Sequence, residues 1–272
     1  MRVIVCTKRD LIGCIQLNQV LPRLAGAEVM VLLSDKTRGA ETTVPELGEL
    51  KFLERELPID TLFPLIDEVG GNAAMATFHA IPERFGVPVR VVHSIAKPET
   101  VALVRDFQPD IIISIRFSHI FRRSVYAIPR FGTFNVHPGA LPRYAGLFPS
   151  MRTIADGETR LGCTLHRVDD GIDTGPVVGI GYEDIDPGRS LLWHIVRSYR
   201  PGIELFLDML ARLEKGESVP ETVQDPAGRQ YASMPDAAAF ADFRAKGFRL
   251  YDPAEYRDML APFLPPGFDP MV

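Results

Sequence analysis

The strongest constraint on the fold is a strand, a helix and a second strand within the first 33 residues. Val3–Cys6 is a short apolar run, typical of a strand that is buried on both faces. The amphipathic stretch Leu11–Leu24 follows, and Glu28–Leu33 is strand-like again. Such a βαβ unit places its strands in parallel, joined by a right-handed crossover. The pattern therefore predicts an open α/β sheet.

The same alternation continues along the chain. The predicted helices are Pro45–Leu57, Ile59–Val69, Met75–Phe85, Pro98–Phe107, a long helix capped by Ser190 that reaches about Leu213, and about Pro235–Lys246. The predicted strands are Val87–Val92, Asp110–Ile115, Thr133–Val136, Leu161–Val168 and Pro176–Tyr182. We expect an α/β fold with a doubly wound, Rossmann-like and mostly parallel sheet flanked by helices. One domain is predicted over residues 1–215, with a short C-terminal extension over 216–272.

Composition narrows the functional classes. The 35 acidic and 30 basic side chains give a formal net charge of −5, so no basic field would attract nucleic acid or a membrane surface. The three cysteines, Cys6, Cys14 and Cys163, have no zinc-type spacing, which favours reduced thiols in the cytoplasm and no metal. Neither a signal peptide nor a membrane-spanning run is recognisable.

The first strand-to-helix turn, Cys6–Gly13, lacks the glycine patterns of phosphate-binding loops. Without those glycines the backbone cannot close around a pyrophosphate, which disfavours NAD-type oxidoreductases and P-loop enzymes. Lys8 and Arg9 could contact an anionic group of a substrate, or they could be solvated loop charges.

The densest polar cluster follows the predicted strand at Thr133–Val136. Asn135 and His137 are two residues apart, so their side chains leave the strand on the same face, and Pro138 and Pro142 stiffen the loop that follows. A second cluster, the acidic turn Asp169–Gly175, joins two predicted strands. An Asn, a His and a carboxylate held together on strand ends can support amide-forming chemistry, because they can relay a proton and stabilise an oxyanion.

Phe134–Gly146, taken with Gly162–His166 and Asp173–Pro176, resembles the folate-dependent formyltransferases. That family has an Asn-x-His-Pro segment and a downstream Asp, and the 38-residue gap from Asn135 to Asp173 matches it. The resemblance covers about residues 108–182. Gly139-Ala140 stands where the family usually has Ser-Leu, and Ala145 where Arg is common, so details of the folate pocket differ.

The resemblance implies a formyltransferase catalytic domain that uses 10-formyltetrahydrofolate as formyl donor. It implies a catalytic triad of Asn135, His137 and Asp173, in which protonated His137 and Asn135 stabilise the oxyanion and Asp173 relays the amine proton. The pterin is expected to contact the following residues: His119, Ile120, Phe121, Leu141, Val168, Asp169, Asp170, Gly171 and Ile172.

The residues that would select the acceptor lie outside the shared motif. Overall likeness over residues 10–22 and 30–38 is greatest to the hydroxyornithine formyltransferases of pyoverdine-type siderophore biosynthesis, which implies a small amine substrate, the hydroxylamine nitrogen of hydroxyornithine. The candidate acceptor contacts are Arg9, Gln16, Asn18 and Arg116, although such side chains are often only solvated surface. A nucleotide-linked amino sugar remains the alternative acceptor, followed by methionyl-tRNA or formyltetrahydrofolate hydrolysis. A nucleic-acid partner is not expected, since residues 217–272 are neither strand-rich nor basic.

Overall fold

The computed structural model describes residues 1–35 and 44–268. Residues 36–38 of the segment compared with the siderophore enzymes lie outside the described residues. The strands are β1 (Arg2–Lys8), β2 (Glu28–Ser34), β3 (Val89–Val92), β4 (Ile111–Ile115), β5 (Thr133–His137), β6 (Ala145–Gly146), β7 (Arg160–Arg167), β8 (Val177–Asp184) and β9 (Tyr231–Ala232).

Seven of these strands form one sheet in the order β3-β2-β1-β4-β5-β7-β8. The pairs from β3 to β5 are parallel, and β7 and β8 continue the sheet in antiparallel orientation. β1 and β4 are apolar at nearly every position because helices cover both faces. The predicted α/β, mostly parallel architecture is confirmed.

The helices are α1 (Leu11–Val20), α2 (Pro45–Lys51), α3 (Phe63–Val69), α4 (Ile81–Phe85), α5 (Pro98–Phe107), α6 (Arg123–Tyr126), α7 (Pro149–Ala155), α8 (Leu191–Ser198), α9 (Arg200–Glu214), α10 (Ala237–Ala245) and α11 (Pro253–Leu260). Two π-helical turns, Phe52–Glu56 and Pro58–Leu62, connect α2 to α3, and short 3-10 turns lie at Leu21–Leu24, Pro226–Gly228 and Ala261–Phe263. Among the described residues, no helix has the length and apolar character that crossing a membrane requires.

The sheet order places a crevice at one edge. After β1 the chain forms β2 and β3 on one side, then crosses to β4 and β5 on the other. In open parallel sheets, ligands bind at the carboxyl ends of the strands where the order reverses in this way. The carboxyl ends of β1, β4 and β5 are therefore where a functional site is expected.

The predicted helix Met75–Phe85 is wrong over its first half, since only Ile81–Phe85 is helical. Tertiary partners take the backbone groups that a helix would use. The Met75 N–H donates to the Pro262 carbonyl (2.7 Å), and both backbone groups of Ala76 bond to the Asn18 amide (2.7 and 2.8 Å). Contacts distant in sequence thus override the local pattern.

The predicted long helix after Ser190 is two helices. Ser190 does cap α8, as expected, because its hydroxyl accepts a hydrogen bond from the Trp193 N–H (3.3 Å). The helix then ends at Ser198, and α9 begins at Arg200 with Pro201 in its first turn. Proline has no N–H to donate and its ring crowds the preceding turn, so the helix restarts there.

The C-terminal segment packs on the rest of the chain. β9 pairs with β6 in a separate two-stranded sheet, and α11 was not anticipated from the sequence. Phe240, Phe243 and Phe263 are fully buried and belong to the same hydrophobic cluster as Val3 of β1. The division at residue 215 remains a prediction, but residues 216–268 share a core with those before them.

Candidate functional site

A cavity of about 760 Å³ lies at the carboxyl edge of the sheet. Such a volume is large enough for one small molecule together with the reactive end of a second molecule. One wall comes from the strand ends and a second from the loop that follows β4. The lining includes Lys8, Ser114, Arg116, residues 117–122, Asn135, His137, residues 146–151, His166, residues 168, 169 and 171–173, Tyr231 and Met234.

β5 carries two of the predicted catalytic side chains into this cavity. It lies between β4 and β7, with Asn135 opposite Ser114 on one side and His166 on the other. Asn135 and His137 both line the cavity, as their spacing of two predicts.

The hydrogen bond of His137 determines which ring nitrogen faces the cavity. Its Nε2 donates to the backbone carbonyl of Tyr144 (2.7 Å). A carbonyl can only accept, so this nitrogen keeps its proton. The other nitrogen, Nδ1, lies 3.6 Å from the Asp173 Oδ1 atom. Nδ1 is therefore the atom that can gain or lose a proton at the site.

Asp173 is held at the other side of His137 in an uncommon backbone conformation. Its φ is +54°, and its Oδ2 accepts from the Gly146 N–H (2.9 Å). Burial raises the pKa of this carboxyl, but His137, His166, the Gly146 N–H and Arg229 outweigh burial and lower its pKa below the usual value. Asp173 is accordingly a carboxylate at neutral pH.

His166 is a site residue that the sequence analysis did not identify. Its Nδ1 donates to its neighbour's carbonyl, Arg167 O (2.9 Å), so Nε2 accepts from the Asn135 amide (3.2 Å). Burial lowers the pKa of His166. Asp173 opposes this effect and His137 reinforces it, and the net lowering of the pKa favours the neutral form. The alternation of β7, which turns His166 toward the same face, is the signal that could have revealed it.

Most of the predicted pterin contacts do meet at the cavity. His119, Ile120 and Phe121 form one side, and Val168, Asp169, Gly171 and Ile172 form the other. Two are placed elsewhere. Leu141 is buried behind the cavity, where its N–H donates to the Thr164 hydroxyl (3.1 Å), and Asp170 accepts from the Tyr126 hydroxyl (2.6 Å) instead.

The four predicted acceptor contacts do not form one group. Arg116 lines the cavity, while its guanidinium is bound to the buried carboxylates of Asp10 and Glu54. Three others contact protein atoms away from the cavity: Gln16 donates to Val196 O (3.0 Å), Asn18 bonds to Ala76, and Arg9 pairs with Asp35 (3.4 Å).

Other cavity residues carry charge that the sequence analysis did not assign. Lys51 and Arg55 line the same wall as Lys8 and Arg116, with Glu54 between them. Burial raises the pKa of Glu54, and the Arg116 charge opposes that effect. Each of the four basic side chains is paired with a carboxylate. Lys8 and Arg116 contact Asp10, Arg116 also contacts Glu54, Lys51 contacts Glu56 (2.7 Å) and Arg55 contacts Asp35, so the charges along this wall balance.

The three cysteines are not among the residues that line the cavity. All three thiols are free and buried, and burial raises the pKa of Cys163 to about 12. A thiol with so high a pKa is a poor nucleophile. Within residues 1–35 and 44–268, no group of three or more His, Cys, Asp or Glu side chains could hold a metal ion.

Comparisons with known proteins agree with this arrangement. The model of the Formyl transferase family matches residues 74–191. The methionyl-tRNA formyltransferase of Citrifermentans bemidjiense is 35% identical over 154 residues, which is 57% of this chain and 48% of that protein. The chain thus spans about half the length of the curated relatives it matches. The formyltransferase resemblance is confirmed, whereas the hydroxyornithine subtype finds no match among these relatives.

Solved structures share the fold. The N-formyltransferase of Helicobacter canadensis, in complex with folinic acid and dTDP-3-aminofucose, has a TM-score of 0.55 at 17% identity over 86% of this chain and 71% of that one. A sugar N-formyltransferase from Shewanella sp FDAARGOS_354 has a TM-score of 0.53 at 16% identity, over 98% of this chain and 90% of that one.

One expectation is overturned by these matches. Nucleic acid was excluded as a partner on the basis of net charge and of the residues that follow Gly216. The sequence relatives, at up to 36% identity, are nevertheless enzymes named for a tRNA substrate. Net charge describes only the average field of the surface, so it does not exclude a local contact with nucleic acid.

Proposed function

We propose that this chain transfers a formyl group from 10-formyltetrahydrofolate to an amine. The observation that carries the proposal is the convergence of Asn135, His137 and Asp173 at one cavity, at the strand ends where the fold binds ligands. The family match over residues 74–191, which contain all three, supports it.

The geometry gives each side chain a role. Asn135 has one amide hydrogen engaged by His166 and a second that can reach the formyl oxygen as negative charge develops on it. His137 can place a proton on Nδ1 and stabilise the same charge. Asp173, 3.6 Å from that imidazole, can as a carboxylate accept the proton that the attacking amine loses. The proton then passes to the folate nitrogen as its bond to the formyl carbon breaks and tetrahydrofolate leaves.

The pocket beside the triad fits a folate. Phe121 is buried and Phe117 packs against it, with ring centroids 5.5 Å apart, and Val168 joins the same apolar cluster. Ile120 and Ile172 are half-exposed at the cavity mouth. Apolar walls with exposed backbone groups between them suit a flat heteroaromatic ring. The bound folate would supply the formyl group, and these residues would hold and orient it.

We infer that the acceptor carries its amine on a phosphate-bearing molecule, foremost a nucleotide-linked amino sugar. Lys8, Lys51, Arg55 and Arg116 line the cavity, where each could donate to a phosphate oxygen in exchange for its present carboxylate partner. Sugar N-formyltransferase structures align with nearly the whole chain, including the C-terminal segment that lines the cavity. Methionyl-tRNA is the second candidate, favoured by the names of the sequence relatives. Hydroxyornithine lacks phosphate, and Gln16 and Asn18, offered for it, contact protein atoms instead.

An acceptor panel tests the proposal directly. The protein is incubated with 10-formyltetrahydrofolate and, separately, an amino-sugar nucleotide, methionyl-tRNA, hydroxyornithine or no amine, and tetrahydrofolate release is followed. Formylation of the amino-sugar nucleotide is expected. Turnover of methionyl-tRNA alone would replace the sugar assignment, and formate release without any amine would indicate a hydrolase.

Asp173→Asn tests the triad. The variant keeps the shape of the side chain but removes its negative charge, so formyl transfer is expected to fall by about 10²- to 10⁴-fold. Asp184→Asn is the matched control, because the Asp184 side chain is 90% exposed at the far end of β8. Circular dichroism checks that both variants are folded. Turnover by Asp173→Asn close to that of the control would exclude Asp173 as the proton acceptor.

A further inference from the structure

A segment outside the family-matched region runs against the loop that carries Asp173. We name residues Thr222–Ala232 the C-terminal strap. Its first residue forms two backbone hydrogen bonds with Val177 (both 2.8 Å), and its last two form β9, which pairs with β6. The strap thus lies along both sides of the turn that leads from β7 to β8.

Gln224 is the strap residue that contacts the catalytic carboxylate's own backbone. Its Nε2 donates to the carbonyl of Asp173 (3.1 Å) and to that of Gly175 (2.7 Å). Both partners can only accept, so the orientation of the amide is determined by its contacts. The Oε1 atom is buried and has no hydrogen-bond partner among the described residues, so both contacts of the amide with the protein are to this turn.

The turn needs such restraint because Asp173 has a φ of +54°. Residues other than glycine are uncommon in this left-handed region, although Asp enters it more readily than most, so contacts with the turn help to hold it there. A second strap residue adds to the restraint, since Arg229 Nη2 donates to the Ile172 carbonyl (2.9 Å). The carbonyls of Ile172, Asp173 and Gly175 therefore each accept a hydrogen bond from the strap.

The strap also fixes the group that binds the Asp173 side chain. Gly146, whose N–H donates to Asp173 Oδ2, lies opposite Ala232 in the β6–β9 pair, and the next N–H, of Leu147, donates to Ala232 O (2.9 Å). A Cβ atom at Gly146 would lie 2.2 Å from Ala232 O. Backbone contact this close leaves Gly146 little freedom while the strap is in place.

We propose that Gln224 is a positioning residue for Asp173, holding the catalytic carboxylate at His137 through the backbone of its turn. The expected loss of kcat rests on the proposed function. The expected displacement of Asp173 does not. Gln224 is not among the residues that line the cavity, so its effect must pass through Asp173.

The electrostatic surroundings of Asp173 make this positioning measurable. The charged and titratable groups around it are His137 on β5, His166 on β7, Arg152 on α7 and Arg229 on the strap. Burial raises the pKa of Asp173, but His137, His166, the Gly146 N–H and Arg229 outweigh burial and lower that pKa. A carboxylate that drifts from His137 and Gly146 loses part of that stabilisation, so its pKa rises.

The experiment compares Gln224→Met, which keeps the length of the side chain and removes both donors, with Gln230→Met. Gln230 lies in the same strap, and its exposed side chain forms no hydrogen bond among the described residues. Gln224→Met is expected to lower kcat by roughly tenfold to a hundredfold, as small misplacements of catalytic groups do, with the KM for folate within about threefold. The Asp173 pKa, followed by carboxylate ¹³C NMR, is expected to rise toward its usual value.

Three results would overturn the proposal: a kcat of Gln224→Met equal to that of Gln230→Met, an unmoved Asp173 pKa, or a parallel loss of kcat, folate affinity and melting temperature that indicates only general destabilisation. If Gln224→Met does not fold, Gln224→Asn retains an amide of shorter reach and is judged by the same readouts. Wild-type protein that formylates no acceptor would instead refute the proposed function, while the NMR titration still tests the positioning.

Discussion

At the end of β5, two histidines flank one carboxylate, yet their hydrogen bonds give them different tasks. His137 donates its Nε2 proton to Tyr144 O, so its other nitrogen, Nδ1, faces Asp173. His166 donates its Nδ1 proton to Arg167 O and offers Nε2 to Asn135. A neutral His166 therefore orients the Asn135 amide, which is the proposed donor to the oxyanion.

Substitution of His166 tests this division of roles. His166→Leu removes the acceptor of the Asn135 amide, so the amide can rotate, and kcat is expected to fall by about 10²-fold, as when an oxyanion donor is lost. His166→Gln can still accept through Oε1 and is expected to lose less than about tenfold. Steady-state kinetics measures both, with His93→Leu, at an exposed position, as the control. Equal activity of the two His166 variants would contradict the orienting role.

The residues that sequence reasoning located share one property. Asn135 and His137 lie within a single strand, β5. Side chains alternate between the two faces of a strand, so the spacing of the residues shows which face each side chain takes. Gln16 and Asn18 also lie in one element, α1, but their amides bond to Val196 and Ala76, 180 and 58 residues away. A polar side chain in a helix has several possible partners, and the sequence does not say which one it meets.

At the scale of elements, the junction before α8 joins distant parts of the chain. The Ser190 hydroxyl accepts from Trp193 N and donates to Glu255, whose carboxylate also accepts from Ser190 N (3.1 Å). Glu255 is buried, at the start of α11. The cap of one helix thus also satisfies a buried charge from another.

Ser190→Ala is expected to lower the free energy of unfolding by about 1–2 kcal/mol, the upper part of the range for a lost cap, because Glu255 loses a donor as well. Urea denaturation followed by circular dichroism measures the change. Ser218→Ala, at an exposed position after α9, serves as the control and is expected to have almost no effect. A Ser190→Ala midpoint equal to that of the control would show that the cap contributes little.

Over the whole molecule, the hydrophobic core does not stop at residue 215. Phe240 of α10 is fully buried, and its ring lies 6.4 Å from that of Phe148, a cavity residue. Phe263 packs on Phe63 of α3, with centroids 5.0 Å apart. The C-terminal residues therefore support both the core and the cavity wall, and the strap reaches Asp173 from the same side.

Phe240→Ala is expected to lower the free energy of unfolding of the entire chain by about 3–5 kcal/mol, since it leaves a cavity in a shared core. Far-UV circular dichroism and near-UV aromatic signals should follow one common transition in urea. Phe52→Ala, where the residue is 47% exposed, is the control and should cost much less. Two separated transitions would instead support independent folding of residues 216–272.

The α/β sheet, the strand that carries Asn135 and His137, and the acidic turn that carries Asp173 could all be predicted from the sequence. Each of these is a local pattern, because apolar runs report burial and residues two apart on a strand share a face. Three contacts emerge only when the chain is folded. His166 bonds to the Asn135 amide, Gln16 and Asn18 bond to protein atoms outside the cavity lining, and Gln224 bonds to the Asp173 carbonyl from 51 residues away. A hydrogen bond between distant segments depends on how whole elements pack, and neither residue type nor spacing contains that information.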